Sequence, residues 1–261
     1  MVFRGRLGSI DAVVSVKHTS VSLGLGDGWV GAWDLGGRLY SVWREGHTFR
    51  RGLSGSVLHK WRDPSIGGAS GYDARQRLWL TESDADALVD EAAGYARAAC
   101  GAIVSDPGGW SNEVGVRPPA EVTAVLELGG EFDAPAARDD AARFAQIYRP
   151  IGMLPPDLYL SVVLQVTEGC SFGSCTFCDL YHDGYRVKPP DEFRRHVAAV
   201  ADYLGASIAL RVRSIFLGSA NALAVPMARL VAGLRTNESR SSSPDSRPTY
   251  TRCRPSVRNR A

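Results

Sequence analysis

The chain has 261 residues and a formal net charge of +2 at pH 7. Its length suits one large domain or two modest ones, and its 44% hydrophobic and 22% charged residues are typical of a globular protein. The near-neutral charge disfavours nucleic-acid binding, no apolar run is long enough to span a membrane, and no secretory signal is recognised, so a cytoplasmic protein is expected.

A β-meander is predicted near the N-terminus. Residues before about Gly26 show no clear period, and no element is assigned to them. The stretch from Val30 to Leu35, the turn at Gly36-Gly37 and the stretch from Arg38 to Trp43 predict a hairpin. A third strand is predicted from His47 to Arg51.

Basic and aromatic residues are interleaved in and after this meander. They are Arg44, Arg50, Arg51, Lys60, Arg62, Trp43, Phe49 and Trp61. Such a pattern can bind RNA or single-stranded DNA, or it can belong to a small sheet with aromatic residues inside and solvated arginines outside. No stacking motif accompanies it, so the second interpretation is favoured and nucleic acid is not expected as a partner.

Helical periodicity begins at residue 81. Thr81 and Asp84 form a capping box, and the residues that share one face of the following helix are Leu88, Ala92, Tyr95, Ala99 and Ala102. Cys100 in this helix is interpreted as a small buried apolar residue.

Two more elements are predicted before residue 150. Weak alternation from Val122 to Leu128 indicates a strand, and a helix is predicted from about Ala136 to Tyr148. Asp139 and Asp140 stand near its start, where the helix dipole favours acidic side chains.

The stretch from Leu160 to Arg186 holds the candidate chemistry. Its apolar run, Leu160 to Val166, predicts a buried strand of the parallel type. Cys170, Cys175 and Cys178 follow with the spacing C-x4-C-x2-C. Thiolates this close can converge on one soft metal centre, and free thiolates fit a reducing compartment.

The number of ligands decides which metal such a site would hold. A structural zinc ion needs four protein ligands, and His182 is the one local residue that could complete a Cys3His site. A cluster of the [4Fe–4S] type held by only three thiolates leaves one iron open to a substrate or cofactor. His182 is equally compatible with a solvated loop position, so spacing alone leaves both metals open.

Strand and helix then alternate. Pro189 and Pro190 predict the start of a helix, in which His196 is interpreted as a packing residue rather than a ligand. A strand from Val212 to Leu217 and a helix from Pro226 to Leu234 follow. This order is typical of a parallel sheet with right-handed crossovers.

Three regions are predicted from these elements. Residues 1–149 form an α+β domain of unknown role, residues 150–235 form an α/β core, and the boundary lies near Arg149, where prolines begin to accumulate. Residues 236–261 are rich in Ser, Pro and Arg with few apolar residues, which predicts a disordered basic tail.

The cysteine loop resembles the radical S-adenosylmethionine (SAM) family. The resemblance rests on the strand, the Thr-Glu-Gly-Cys turn at Thr167, Phe177 before the last cysteine, and the Tyr-x-Asp-Gly-Tyr-Arg-Val-Lys segment that ends at Lys188. It is closest in pattern to a poorly characterised bacterial and archaeal branch of Fe–S oxidoreductases that also has four residues in the first gap. The block from Ser214 to Leu223 resembles the end of that family's second barrel strand.

The resemblance implies a fold and a reaction. The fold is the start of a radical SAM (βα) partial barrel, about two βα units of a six-stranded whole, so the chain is expected to be truncated at its C-terminus. The three cysteines would hold a [4Fe–4S] cluster whose fourth iron binds SAM. One electron, from a donor such as flavodoxin or ferredoxin, would cleave SAM to methionine and a 5′-deoxyadenosyl radical that attacks an unknown substrate.

The resemblance also implies SAM-binding residues. The backbone at Phe177 would neighbour the adenine, and Gly218 would let the strand end approach SAM closely. Ser219 and Asn221 lie in the block that meets the amino group of SAM. Arg186 would pair with the SAM carboxylate, unless it is a solvated surface arginine.

Two other functions remain open from the sequence. One is a structural zinc-binding module closed by His182, which would unfold locally if zinc were removed. The other is a non-catalytic, truncated remnant whose N-terminal domain serves as a binding module.

Overall fold

Eight strands in chain order form one antiparallel meander in the computed structural model, which describes residues 1–66, 74–151, 154, 158–172, 175–176, 184–211, 214–218 and 225. The strands are β1 (Val2–Leu7), β2 (Ile10–Lys17), β3 (Ser20–Leu25), β4 (Trp29–Asp34), β5 (Leu39–Arg44), β6 (His47–Arg51), β7 (Val57–Arg62) and β8 (Arg75–Trp79). Each strand pairs with its neighbours in sequence, so β1 and β8 are the two edges of the sheet.

The predicted hairpin and third strand are confirmed as β4, β5 and β6, whereas β1 to β3 occupy a region that showed no clear period. The alternation in the sequence is weak because Gly5 takes an inward position in β1, and because Ser15 in β2 and Ser22 and Gly24 in β3 stand between the buried residues. Tight turns with positive φ at Gly8 and Gly26 connect β1 to β2 and β3 to β4. Weak alternation therefore concealed these three strands in the sequence.

The expected sheet with aromatic residues inside and arginines outside is found only in part. Phe49 is buried as expected, but Trp43 is 37% exposed and Arg51 only 9% exposed. The guanidinium of Arg51 is buried because Asp140 and a backbone carbonyl lie beside it.

Helix α1 (Glu82–Ser105) lies against this sheet and begins as predicted. Thr81 is its N-cap and accepts a hydrogen bond from the backbone N–H of Asp84 at 3.2 Å. Cys100 is half-buried in α1, packs at the edge of the core and donates its thiol to the carbonyl of Thr123.

The strand predicted from Val122 to Leu128 is wrong, because this region is helix α2 (Ala120–Glu131). Val122, Val125 and Leu126 are buried at helical spacing. The helical pattern was hard to recognise because α2 ends in the poor helix formers Gly129 and Gly130, which are buried where a Cβ would press on Trp33 and on Arg97 of α1. Helix α3 (Ala134–Ile147) is confirmed, with Asp133 as its N-cap.

The first apolar core lies between the sheet and helices α1 and α2. Its large fully buried side chains are Phe3, Leu23, Trp33, Trp110 and Leu126. A second cluster gathers around Val163, Phe193, Val200 and Tyr203, and α3 contributes Phe144 and Ile147 to its margin. Because α3 reaches both clusters, the boundary at Arg149 remains a prediction.

The second cluster surrounds a small parallel sheet. Its elements are β9 (Val162–Leu164), β10 (Thr167–Glu168), β11 (Arg186–Val187), α4 (Pro190–Leu204), a 3₁₀ segment (Gly205–Leu210) and β12 (Ile215–Leu217). Strands β9 and β12 are parallel neighbours with α4 between them in sequence. This confirms the predicted β-α-β order within a mixed α/β fold.

The described residues show no closed barrel. The helix predicted from 226 to 234 and the tail from 236 lie outside them. Among the helices that the structure does describe, none is both long enough and apolar enough to cross a membrane.

A buried polar junction, formed by Asp34, Arg38, Asp140, Ser207 and Arg211, joins the two clusters. Arg38 Nε lies 2.8 Å from Asp140 Oδ1, and its Nη1 donates to Ser207 Oγ at 2.7 Å. Asp34 accepts from Ser207 Oγ at 2.7 Å and pairs with Arg211 at 3.2 Å. The sheet and the α4 region are therefore fastened together by buried charge.

Candidate metal centre

The two ends of the cysteine loop, residues 169–185, are held together by a short ladder. Thr167 pairs with Val187 and Glu168 pairs with Arg186 in the antiparallel pair of β10 and β11. Strand β10 follows β9 after only two residues. The loop therefore leaves the sheet at the carboxyl end of β9 and returns beside it.

An ion-pair network, formed by Glu168, Arg186, Lys188 and Glu192, reinforces this ladder. Glu168 lies 2.8 Å from Arg186 and 2.9 Å from Lys188, and Arg186 lies 2.7 Å from Glu192. Burial by itself raises the pKa of Glu168, but hydrogen bonds from Lys188 and Arg186 outweigh it and hold that pKa below its ordinary value. Glu168 is therefore a carboxylate at neutral pH.

Lys188 ties the network to the strand. Its ammonium group is buried and donates to the carbonyl oxygen of Gln165 at 2.8 Å, directly after β9. A buried lysine is stable only when it is paired, and here Glu168 supplies the opposite charge.

Arg186 is engaged by carboxylates of the protein. Hydrogen bonds from its guanidinium to Glu192 and Glu168 raise its pKa further above the ordinary value. Arg186 is thus neither simply solvated nor free for a ligand, and pairing with the SAM carboxylate would require it to release one of these partners.

His196 is a packing residue, as expected. It is buried in α4, and its Nε2 accepts the backbone N–H of Gln165 at 3.0 Å. Burial, followed by the charge of Lys188, lowers the pKa of His196 to about 4. The imidazole is therefore neutral and supports the residue between β9 and β10.

The described part of the loop holds two of its three cysteines. Cys170 and Cys175 are both half-buried. Cys178, His182 and Phe177 lie outside the described residues, and within the described ranges no three potential metal ligands converge. The ligand set therefore remains a prediction.

The second sequence block meets the loop at the same edge of the sheet. The N–H of Gly218 donates to the carbonyl oxygen of Leu164 at 2.8 Å, so the carboxyl ends of β9 and β12 lie side by side. Gly218 has φ +102°, a backbone conformation that residues with a side chain rarely adopt. Ser219 and Asn221 follow it but lie outside the described residues.

A pocket of about 380 Å³ opens beside the base of the loop. Its walls come from the end of the β9 region, from β11 and from the first turn of α4, and they include Val166, Lys188, Pro189 and Phe193. The pocket is open to one side and largely apolar apart from Lys188.

Two buried hydroxyl groups flank the loop without a hydrogen-bond partner among the described residues. They are Thr167 Oγ1, before the first cysteine, and Tyr185 Oη, after the last. Buried polar groups are normally satisfied, so this region has polar capacity left for a bound group. Thiol donors beside such capacity fit a soft metal centre.

Sequence reasoning missed the ion-pair network at the base of the loop. A signal was present, because Glu168 stands just before the loop and Arg186 and Lys188 stand just after it, two residues apart as side chains on one face of a strand are. No family model, curated protein or solved structure matches this chain.

Proposed function

We propose that the chain is a radical SAM protein, which binds a [4Fe–4S] cluster through Cys170, Cys175 and Cys178 and SAM at the open iron. The observation that carries the proposal is the meeting of the cysteine loop and Gly218 at the carboxyl ends of two parallel strands, β9 and β12. Ligands of parallel α/β folds bind at this edge.

The chain's own residues have distinct roles in this proposal. The cluster and SAM, once bound, supply an electron and a carbon-centred radical. The three thiolates hold the cluster, and the Glu168–Arg186–Lys188–Glu192 network keeps the ends of their loop at a constant separation. Gly218 leaves room where β12 ends, and Phe177, Ser219 and Asn221 would line the SAM site.

The remaining features follow from the same proposal. The β9–α4–β12 unit would be the start of a (βα) partial barrel. Electrons would come from a donor such as flavodoxin or ferredoxin, and the substrate is unknown. A cluster of this kind requires a reducing compartment, in agreement with the expected cytoplasmic location.

The first test is metal loading. The chain is purified without oxygen, reconstituted with iron and sulfide, and analysed by visible absorption and metal content alongside Cys175→Ala and Cys100→Ala. We expect about four irons per chain in the wild type. Cys175→Ala should lose them, whereas Cys100→Ala should keep them because Cys100 packs in α1.

The second test asks for chemistry. The reconstituted protein is reduced with dithionite and given SAM, and 5′-deoxyadenosine is measured by chromatography. Cluster-dependent formation of 5′-deoxyadenosine supports the proposal. A colourless protein with one zinc ion would instead indicate a Cys3His module, and a chain that takes up no metal would indicate a non-catalytic remnant.

A further inference from the structure

One face of the sheet carries a cluster of cations. Arg50, Lys60, Arg62, Arg75 and Arg77 alternate along β6, β7 and β8 and are all exposed. We call this surface, together with Trp43 and Trp79, the cationic face. It lies on the side of the sheet away from α1, since the inward residues Phe49 and Val57 of the same strands are in the first core.

The strand register brings these residues side by side. Lys60 lies opposite Arg77, and Arg62 lies opposite Arg75. Directly opposed side chains on adjacent strands lie close together, and like charges in this position destabilise a sheet. The pair of Lys60 and Arg77 is therefore an electrostatic cost that a bound polyanion would relieve.

Cations on the two faces of the sheet differ in their partners. On the inward face, Arg44 pairs with Glu91 and Arg51 pairs with Asp140. On the cationic face, Arg50, Lys60, Arg62 and Arg77 form no ion pair with any residue that the structure describes. Among the described acidic residues that adjoin these strands, Asp63 and Glu45 belong to turns rather than to the face.

Two tryptophans stand in the same rows as the cations. Trp43 is opposite Thr48, which is opposite Lys60, and Trp79 is opposite Leu58. Their exposed fractions are 37% and 65%. Three strand spacings and an offset of two residues along the strands separate the two tryptophans, which places their backbone positions roughly 16 Å apart on the face. Exposed rings interspersed with cations are what unpaired bases and their phosphates bind.

The near-neutral net charge of the whole chain predicted no nucleic-acid partner, but the charge of this one face is strongly positive. We propose that the cationic face binds a single-stranded nucleic acid, with phosphates at its exposed cations and bases stacked on Trp43 and Trp79. Recognition on this face is by phosphate charge and base stacking, so binding tolerates different base sequences. Nothing in the described part of the face distinguishes ribose from deoxyribose. This inference is independent of the metal centre, because the cationic face belongs to β5–β8 and the cysteine loop belongs to β9–β12.

An anionic membrane is a weaker match for the same surface. Membrane-surface binding needs a continuous apolar face beside the basic residues. Here the residues opposite one another across β5, β6 and β7 are Trp43, Thr48 and Lys60. In the neighbouring row, across β6, β7 and β8, they are Arg50, Leu58 and Trp79. Charge and polarity therefore interrupt the apolar surface between the rings.

The charge test measures binding of a fluorescein-labelled oligouridine of about 12 nucleotides to the full chain by fluorescence anisotropy at several salt concentrations. The double variant Lys60→Gln/Arg77→Gln should reduce the magnitude of the slope of log K against log salt by about 1.4. Each phosphate contact to a single strand contributes about 0.7 to that slope, and the variant loses two. The control, Arg117→Gln/Arg195→Gln, removes the same charge from exposed positions elsewhere and should leave the slope unchanged.

The stacking test uses Trp43→Ala. We expect roughly tenfold weaker binding with an unchanged salt slope. The control is Tyr159→Ala, which removes an exposed ring outside the cationic face and should have no effect. Circular dichroism establishes that each variant is folded, and the charge variant tests the proposal even if Trp43→Ala does not fold.

Three results would overturn the proposal. If both variants of the cationic face keep the wild-type affinity, binding would be assigned to the basic C-terminal residues instead. Equal affinity for heparin or for a duplex of the same length would show that stacking contributes nothing. Tighter binding to vesicles that contain anionic lipid would identify a membrane surface as the partner.

Discussion

Asp140 is a carboxylate buried between two guanidinium groups. It lies 2.8 Å from Arg38 and 3.7 Å from Arg51, and its side chain is 7% exposed. Burial by itself lowers the pKa of Arg38, but the hydrogen bond and charge of Asp140 outweigh it and raise that pKa above the ordinary value. Both buried guanidinium groups therefore depend on this carboxylate.

We predict that Asp140→Asn lowers the free energy of unfolding by roughly 3–5 kcal/mol, because it leaves two buried cations without their counter-ion. Urea unfolding measures the change. The neighbouring Asp139 is exposed, so Asp139→Asn serves as the control and should change stability by less than about 0.5 kcal/mol. Equal effects of the two substitutions would contradict the assignment.

His196 makes the stability of the fold depend on pH. Its folded-state pKa of about 4 is below the ordinary 6.5, so the unfolded chain takes up a proton first as the pH falls. Stability is therefore complete above about pH 6.5 and is lost between pH 6.5 and 4. The loss amounts to about 3 kcal/mol at most.

We predict that His196→Gln removes this contribution from the pH dependence of the unfolding free energy, measured by urea titration between pH 7 and 4. His18 is exposed, so His18→Gln is the matched control and should keep the wild-type slope. A wild-type slope in His196→Gln would show that the histidine is not held neutral by burial.

Among the elements, β1 depends on a close approach that only glycine permits. A Cβ on Gly5 would lie 2.3 Å from Cδ2 of Trp110, an indole that is 2% exposed. Arg4 and Ser111 form a β-bridge beside this contact. The segment after α1 is thus packed directly on the edge strand.

We predict that Gly5→Ala lowers the free energy of unfolding by about 1–3 kcal/mol, because the buried indole must shift. The control is Gly24→Ala in β3, where the nearest atom to a new Cβ is 3.7 Å away. Thermal unfolding followed by circular dichroism compares the two. If Gly24→Ala costs as much as Gly5→Ala, strand propensity rather than the indole contact decides the effect.

At the scale of the whole molecule, the polar junction is expected to couple the two apolar clusters. Arg38 reaches from β4–β5 to Tyr203 and Ser207, donating to the carbonyl of Tyr203 at 2.7 Å. All six tryptophans lie between residues 29 and 110, so tryptophan fluorescence reports on the eight-stranded sheet and the first cluster and not on the second. Circular dichroism also reports on α4 in the second.

We predict that the two signals give coincident urea-unfolding midpoints in the wild type and separate midpoints in Arg38→Met. Coincident transitions are the signature of one cooperative unit. Arg44→Met is the control, because Arg44 pairs with Glu91 of α1 and forms no ion pair or hydrogen bond across the junction with any residue that the structure describes. It should keep coincident midpoints. Separate midpoints already in the wild type would mean that the junction does not couple the clusters.

The parts of the fold that local chemistry dictates were predictable. The capping box of α1, the hairpin of β4 and β5 and the proline start of α4 depend on a few neighbouring residues. Helix α2 was mistaken for a strand because its glycines contact Trp33 and α1, and those contacts are distant in sequence.

The candidate site was predictable to the same extent. The spacing of its cysteines is a local property, and that spacing alone indicates a soft metal. The charges at the two ends of the loop were a signal that Glu168 and Arg186 could pair, but the three-way contact with Glu192 forms only where β10, β11 and the start of α4 meet.

The sequence by itself determined the turn at Gly36-Gly37, the starts of α1 and α4 and which residues could bind metal, because these depend on backbone geometry and spacing within one segment. Only the tertiary structure decided which charges are buried together and which remain on an open face. Asp140 became the centre of a buried junction, and Lys60 and Arg77 became opposed on one surface. Strand register and packing between distant segments set these neighbours, and no local pattern encodes either.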